Sequence, residues 1–369
     1  MRFNGYAPIR QICYGLAGEV KKARTGGFAA VQRTIASHPE REYRRMKSLL
    51  RILVAAGAVL SSVAASEQGN AQNYPSKPIT IIVPFGPGSA TDTITRVVGQ
   101  HLGVALKQTV VVENRPGANG ALAALFVARS APDGYTLFMS TNSPHSAVPF
   151  LMKNVAYDPI KDFAAVTRMG SYTLVLVIHP SIPAKSVREL IEHAKANPGK
   201  LSFASGNTSG VVAGETLKRW AEIDMLHVPY KSAPPAINDV LAGRVSMMFT
   251  DLTTGLPHVK AGTLRALAVT RRQRSALIPE LPTLDEAGVK GFDMDSWAAI
   301  FVPAHTPQDI VTLLNTELRK IIDSADVKSK LGNAGFEAFS SSAKELDAFV
   351  KVQLGHWGKM IKDAGIEPE

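Results

Sequence analysis

The sequence predicts an α/β protein of two lobes. Beyond residue 72, strand-like apolar runs alternate with helix-like segments, the pattern of βαβ units and a mostly parallel sheet. Turn signals such as Pro132-Asp133-Gly134 punctuate the alternation. Of 369 residues, those after Gln72 suffice for two domains.

Pro78–Val83 (PITIIV) reads as the first strand, being β-branched and continuously apolar. Thr91–Leu106 follows as a helix, with Ile94, Val97, Val98 and Leu102 recurring on one face. Thr109–Val112 is a second strand, Ala121–Arg129 a second helix and Thr136–Ser140 a third strand. Leu174–Ile178 is the next apolar run. Ser186 caps a helix over Val187–Ala196, which Pro198-Gly199 closes. Leu201–Ala204 is a strand; a polar loop then leads to a helix over Val212–Ala221. Pro235–Leu241 is helical and ends at Gly243, and Ser246–Thr250 and Leu264–Val269 are strands. Thr306-Pro307-Gln308-Asp309 starts a helix whose apolar face is Ile310, Leu313, Leu314, Leu318, Ile321 and Ile322. Lys344–Ala364 is the final helix, stopped by Gly365. The first lobe comprises residues 73–173 and 296–369, and the second 174–295. The chain leaves the first near Tyr172 and returns near Asp295 to Trp297, so two crossings form a hinge and the cleft becomes the natural ligand site.

The start of the chain excludes many functions. Lys47 and Arg51 precede the apolar run Ile52–Val63; Val63-Ala64-Ala65 and Gly69-Asn70-Ala71 follow. That is the order of a secretory signal peptide, here over residues 46–72. The run is shorter than the roughly 20 apolar residues that span a bilayer. Residues 1–45 read as an upstream extension with Met46 as the true start; Tyr43-Arg44-Arg45-Met46-Lys47 is the alternative, a twin-arginine signal. Export places the protein where ATP and NAD are not normally supplied. The one cysteine, Cys13, precedes the signal, so the exported chain has no disulfide, thiolate zinc site or cysteine nucleophile. The net charge of +10 is concentrated at the start. Residues 1–72 hold 11 Lys/Arg and 4 Asp/Glu, which leaves 30 bases and 27 acids of the chain's 41 and 31. A +3 surface offers no basic field for nucleic acid.

Four strand ends carry candidate binding chemistry. The first strand runs into Pro84-Phe85-Gly86-Pro87-Gly88-Ser89-Ala90-Thr91-Asp92, with no Lys or Arg. Its free N–H groups and the helix dipole favour an anion, although Thr91 or Asp92 can equally be a simple cap. In a parallel sheet, Ser140-Thr141-Asn142-Ser143, Ser205-Gly206-Asn207-Thr208-Ser209-Gly210 and Thr250-Asp251 face the same way, and ligands bind outside the carboxyl ends of strands. Arg115-Pro116-Gly117-Ala118-Asn119-Gly120 fits a tight turn before the second helix. Tyr230 fits either a ligand contact or a core position with a satisfied hydroxyl, and Trp297 fits hinge packing.

These residues together resemble the Bug, or TctC-like, family of periplasmic solute receptors of tripartite tricarboxylate transporters. The resemblance starts at Tyr74-Pro75-Ser76-Lys77-Pro78-Ile79 and runs to the C-terminus. Its ordered markers are PFGPGSATD, ENRPGANG (Glu113–Gly120), PDGYTL (Pro132–Leu137), HVPYK (His227–Lys231), LPTLDEAG (Leu281–Gly288) and the helix start at Thr306-Pro307. The resemblance implies a type II periplasmic-binding-protein fold of two Rossmann-like lobes that closes on a small carboxylate, partly through ordered waters. It implies ligand contacts from Phe85, Gly88, Ser89 and Asp92, then Thr141 and Asn142. Ser205, Asn207, Thr208, Ser209, Tyr230 and Asp251 are implied across the cleft. It further implies a monomer without cofactor or metal that hands its solute to membrane transporter subunits. Ser89 stands where the family often has a second glycine, and Val211-Val212 where a histidine and leucine often fall. Those departures leave the ligand open among dicarboxylates, citrate, acidic amino acids and aromatic acids.

Rival functions fit less well. Gly86-Pro87-Gly88 and Glu113 imitate a dinucleotide fingerprint, but Thr91 takes the third glycine position. No G-x-S-x-G, H-E-x-x-H or P-loop occurs, and the exported histidines lack ligand spacing; His145 alone lies near a candidate loop. A periplasmic sensor feeding a membrane kinase would share the cleft chemistry.

Overall fold

The computed structural model describes residues 74–369. The signal-peptide and upstream-extension readings lie outside the described residues. Among those residues, no helix is long and apolar enough to cross a membrane.

Two separate sheets organise the chain. The first contains β1 (Ile79–Val83), β2 (Val110–Asn114), β3 (Thr136–Thr141), β4 (Phe163–Tyr172), β10 (Ser296–Pro303) and β11 (Phe336–Ala338), in the order β11-β4-β10-β3-β1-β2. The second contains β5 (Leu174–Ile178), β6 (Leu201–Ser205), β7 (Met225–Pro229), β8 (Met247–Asp251) and β9 (Arg265–Val269), in the order β7-β6-β8-β5-β9. The doubly wound halves are parallel: β1 with β2 and β3, and β6 with β7 and β8. The sheets are nevertheless mixed rather than mostly parallel. β10 runs antiparallel to β3 and β4, and β5 antiparallel to β8 and β9. The reason is connectivity: β5 and β10 are the first strands after the two crossings, and each runs opposite to the parallel strands of its sheet, whereas β4 keeps the direction of β1 to β3.

Both sheets are covered on two faces, as their near-continuous apolar strands require. In β1, Ile81 packs toward α1 (Ala90–Leu106) and α8 (Gln308–Ile322), whereas Ile82 packs toward α2 (Ala121–Ala128). In β5, Leu176 faces α4 (Val187–Ala196) and α5 (Thr208–Ala221). Val177 faces α6 (Ala233–Leu241) and α7 (Leu252–Lys260). Alternation of period two thus feeds four apolar layers. Short α3 (Val148–Leu151), α9 (Ala325–Asn333) and the long α10 (Ala343–Asp363) complete the fold.

Several element boundaries differ from the sequence reading. α5 starts at Thr208, not Val212, because the Asn207 side chain accepts the Gly210 N–H and turns the expected polar loop into a first helical turn. β4 is an unexpected strand; its burial pattern alternates poorly, and Gly170 and Arg168 interrupt the apolar run. α3, β7, α7, β10, α9 and β11 also have no counterpart in the sequence reading. At the crossings, β4 ends at Tyr172 and β5 begins at Leu174, and the chain re-enters the first sheet at Ser296, opposite Tyr172. A third link was not expected. Helix α10 buries Leu346 and Val350 in the first lobe and Trp357 and Ile361 among second-lobe core residues.

Candidate functional site

Four strand tips meet in one narrow crevice between the sheets. Phe85, Ser89, Ala90 and Thr91 come from the turn after β1, and Thr141, Asn142 and Ser143 from the end of β3. Gly206 and Asn207 follow β6, Ala233 opens α6, and Asp251 ends β8. Tyr172, Leu174 and Ser296, all at the strand crossings, complete the lining. A roomier hollow lies beside Trp220, Phe292 and Met360, and none of the four strand-tip loops lines it. We assign the site to the crevice because helix starts and hydroxyls converge there.

The first-lobe wall is a helix start held in place by charge. Ser89 is the N-cap of α1; its hydroxyl accepts the Asp92 N–H at 3.3 Å, and its carbonyl accepts the Thr93 N–H. The Ala90 and Thr91 amides have no acceptor among the described residues, as expected for the first turn of a helix. Asp92 does not line the crevice. Its carboxylate accepts the Gly88 N–H at 3.0 Å and pairs with Arg96 at 2.9 Å, and Asn114 bridges Asp92 and the Phe85 carbonyl. Burial pushes the Asp92 carboxyl up, but the hydrogen bonds from Arg96, Gly88 and Asn114 outweigh it and hold it below the usual range. Asp92 and Gly88 therefore shape the loop rather than face a ligand.

The second-lobe wall uses its polar groups differently. Ser143 and Thr208 hydroxyls share a hydrogen bond at 2.7 Å across the lobes, and Asn142 Nδ2 donates to Ser209 Oγ at 3.0 Å. Asn142 Oδ1 in turn accepts the Ser296 hydroxyl. Thr208 and Ser209 thus touch the opposite lobe instead of lining the space. Gly206 packs so closely that a Cβ there would sit 2.4 Å from the Ala233 nitrogen, which makes glycine the residue the wall admits. Ser205 points away, its hydroxyl 2.6 Å from His227 Nε2. Tyr230 also lies outside the crevice, donating to Asp239 at 2.6 Å, so its satisfied-hydroxyl alternative is the one the structure displays.

Behind the first wall, residues Ser143–Ala147 form a π-helical turn, a feature that recurs at functional sites. His145 in that turn is fully buried, stacks on Phe301 at 4.0 Å and shares a 2.6 Å hydrogen bond through Nδ1 with Ser140. Burial holds its pKa at about 3, so the ring is neutral. It props the strand tip that carries Asn142 and Ser143. Trp297 packs in the same cluster, away from the crevice.

Of the residues singled out in the sequence, the crevice gathers Phe85, Ser89, Thr141, Asn142, Asn207 and Asp251. It adds Thr91, Ser143, Gly206, Ala233, Tyr172 and Ser296. Ser143 and Gly206 stood inside the recognised polar loops. Tyr172 and Ser296 mark the crossings, and their position at the crevice floor follows from the hinge. Ala233 carries no side-chain signal at all.

Two doubly wound lobes, a crossing pair of strands and a polar crevice between them define a solute-binding protein. Residues 94–366 match the tripartite tricarboxylate transporter family receptor profile, and the chain belongs to that family, the TctC-like or Bug receptors. BugT of Bordetella pertussis is 32% identical over 323 residues, covering 86% of this chain and 98% of its own. The structure of Rpa4515 of R. palustris with adipate superposes with a TM-score of 0.78 at 32% identity, over 80% of this chain and all of that one. MatC of Rhodopseudomonas palustris with bound malate gives 0.74 at 28% identity, over 78% of this chain and 100% of its own. These relatives are binding proteins, not enzymes, and the dehydrogenase and hydrolase readings fall with that.

Proposed function

We propose that this protein captures a small organic carboxylate in the inter-lobe crevice and delivers it to the membrane subunits of a tripartite tricarboxylate-type transporter, working as a monomer in the periplasm after export. The observation that carries the reading is the convergence of helix N-termini. α1, α5 and α6 all begin at the crevice, and no Lys or Arg is among its lining residues. Each helix start turns the positive end of a dipole toward the crevice. The Ala90, Thr91 and Ala233 N–H groups have no acceptor among the described residues, whereas Pro234 and Pro235 of α6 have no N–H and the Thr208 N–H of α5 donates to Ser143 Oγ. Ala90, Thr91, Asn207 and Ala233 supply the main-chain donors; Ser89, Thr141 and Ser296 stand beside them. Adipate and malate in the two similar structures support an acid of this size.

A thermal-unfolding screen of organic acids on the exported form tests the proposal. An acid at 100 times its Kd stabilises by about 2.7 kcal/mol. If no acid raises the unfolding temperature, the carboxylate reading fails. Co-purification with membrane transporter subunits, and not with a kinase, is the expected partner result.

A further inference from the structure

Resting on the carboxylate reading, we propose that Asp251 makes the crevice select acids bearing a hydroxyl or ammonium donor beside the carboxylate over plain diacids. Asp251 ends β8 and is 5% exposed, at the crevice wall. One carboxylate oxygen accepts the Thr254 N–H at 2.8 Å, as the N-cap of α7. No other residue than Thr254 and Asp251's own N–H donates to this carboxylate among the described residues, and no Lys, Arg or His there pairs with it. Asp251 lines the crevice, so the acceptor capacity its own helix cap leaves unused is available to a ligand's donor.

The surroundings say what kind of group satisfies it. Tyr172 connects the two chemistries. Its hydroxyl lies 3.3 Å from Thr91 Oγ1, at the start of α1, and its phenol is close enough to Asp251 to feel the carboxylate. Ala90, Thr91, Tyr172 and Asp251 line the same crevice, so a ligand whose carboxylate sits on the Ala90 and Thr91 amides shares that space with Asp251. A second carboxylate at that point would meet like charge with no Lys or Arg among the lining residues. A hydroxyl or an ammonium would donate to the Asp251 carboxylate, and an ammonium would neutralise it as well. Burial raises the Asp251 carboxyl above its ordinary range, and a donor or cation at the crevice would draw it back down.

The test is titration calorimetry with two matched sets: succinate, malate and aspartate, then glutarate, 2-hydroxyglutarate and glutamate. Within each set only the substituent beside the carboxylate changes. The unaltered protein should bind the hydroxy or amino acid at least tenfold more tightly than the plain diacid. Tighter amino-acid binding identifies ammonium as the donor, and tighter hydroxy-acid binding identifies hydroxyl. Asp251→Asn keeps an N-cap side chain for Thr254, so the fold is retained, but it offers the crevice an amide donor instead of an acceptor. It should remove the preference and improve plain-diacid binding. Equal binding across each set, or a preference unchanged in Asp251→Asn, overturns this inference while leaving the carboxylate reading intact. Failure of all six acids to bind overturns both.

Discussion

The two walls of the crevice are built from the same motif, a strand tip followed by a helix start, yet they are held in opposite ways. On the α1 side, the cap is locked within its own lobe by Asp92, Arg96 and Asn114, and the first-turn amides stay free. On the α5 side, Asn207 supplies the cap, while Thr208 and Ser209 bond to Ser143 and Asn142 of the other lobe. The first wall is organised whether or not the lobes meet. The second gains those bonds only when they do. The contrast separates ligand reception from lobe closure, and each function should be removable alone.

The largest effect is expected beneath the first wall, at His145. Its folded pKa of about 3 lies far below the ordinary value near 6.5. Between those values the unfolded chain takes a proton that the folded chain refuses. Stability is therefore highest above about pH 6.5 and falls as pH drops toward about 3, by up to ~1.4 kcal/mol per pH unit from this group. Urea unfolding at several pH values in that window should show a slope that His145→Phe reduces; an equal slope in the variant would assign the acid sensitivity elsewhere.

A smaller loss is expected at Asp92. Asp92→Ala removes the acceptor of the Gly88 N–H and the partner of Arg96. Hydrogen bonds to charged groups are worth roughly 1.5–3 kcal/mol, and both unfolding stability and ligand affinity should fall by that order, since the Ala90 and Thr91 amides lose their frame. Equal affinity in the variant would show that the wall does not depend on this cluster.

The smallest effect should separate the two walls most clearly. Ser143→Ala and Thr208→Val each cut the cross-lobe bond, and a double-mutant cycle should return a coupling of about 1 kcal/mol in ligand affinity. Ligand-induced compaction measured by solution scattering should weaken in both. Additive single effects would mean that the bond does not contribute to closure.

Much of this architecture was legible in the sequence because its signals are local and repeated. Strand β1 is five β-branched residues, and α1 places Ile94, Val98 and Leu102 one above the other on a buried face. The motif order pointed to the family. What was not legible depends on contacts between distant segments. β4 pairs on both edges, with β10 and β11, so tertiary pairing and not its own pattern makes it a strand. Thr208 and Ser209 look like ligand hydroxyls until their partners 65 and 67 residues away are known. Tyr230 and Ser205 look polar and available, but Asp239 and His227 already occupy them.

Helix α10 runs as a spine along both halves of the molecule, with its ends rooted in different cores. Between the roots, at Val350 and Trp357, sits Gly355, where an added methyl would touch nothing within 4 Å. Glycine there costs helix stability of about 1 kcal/mol against alanine with no packing reason. Because one helix is rooted in both cores, any relative displacement of the halves must be absorbed along it, and Gly355 is where its side-chain packing resists least.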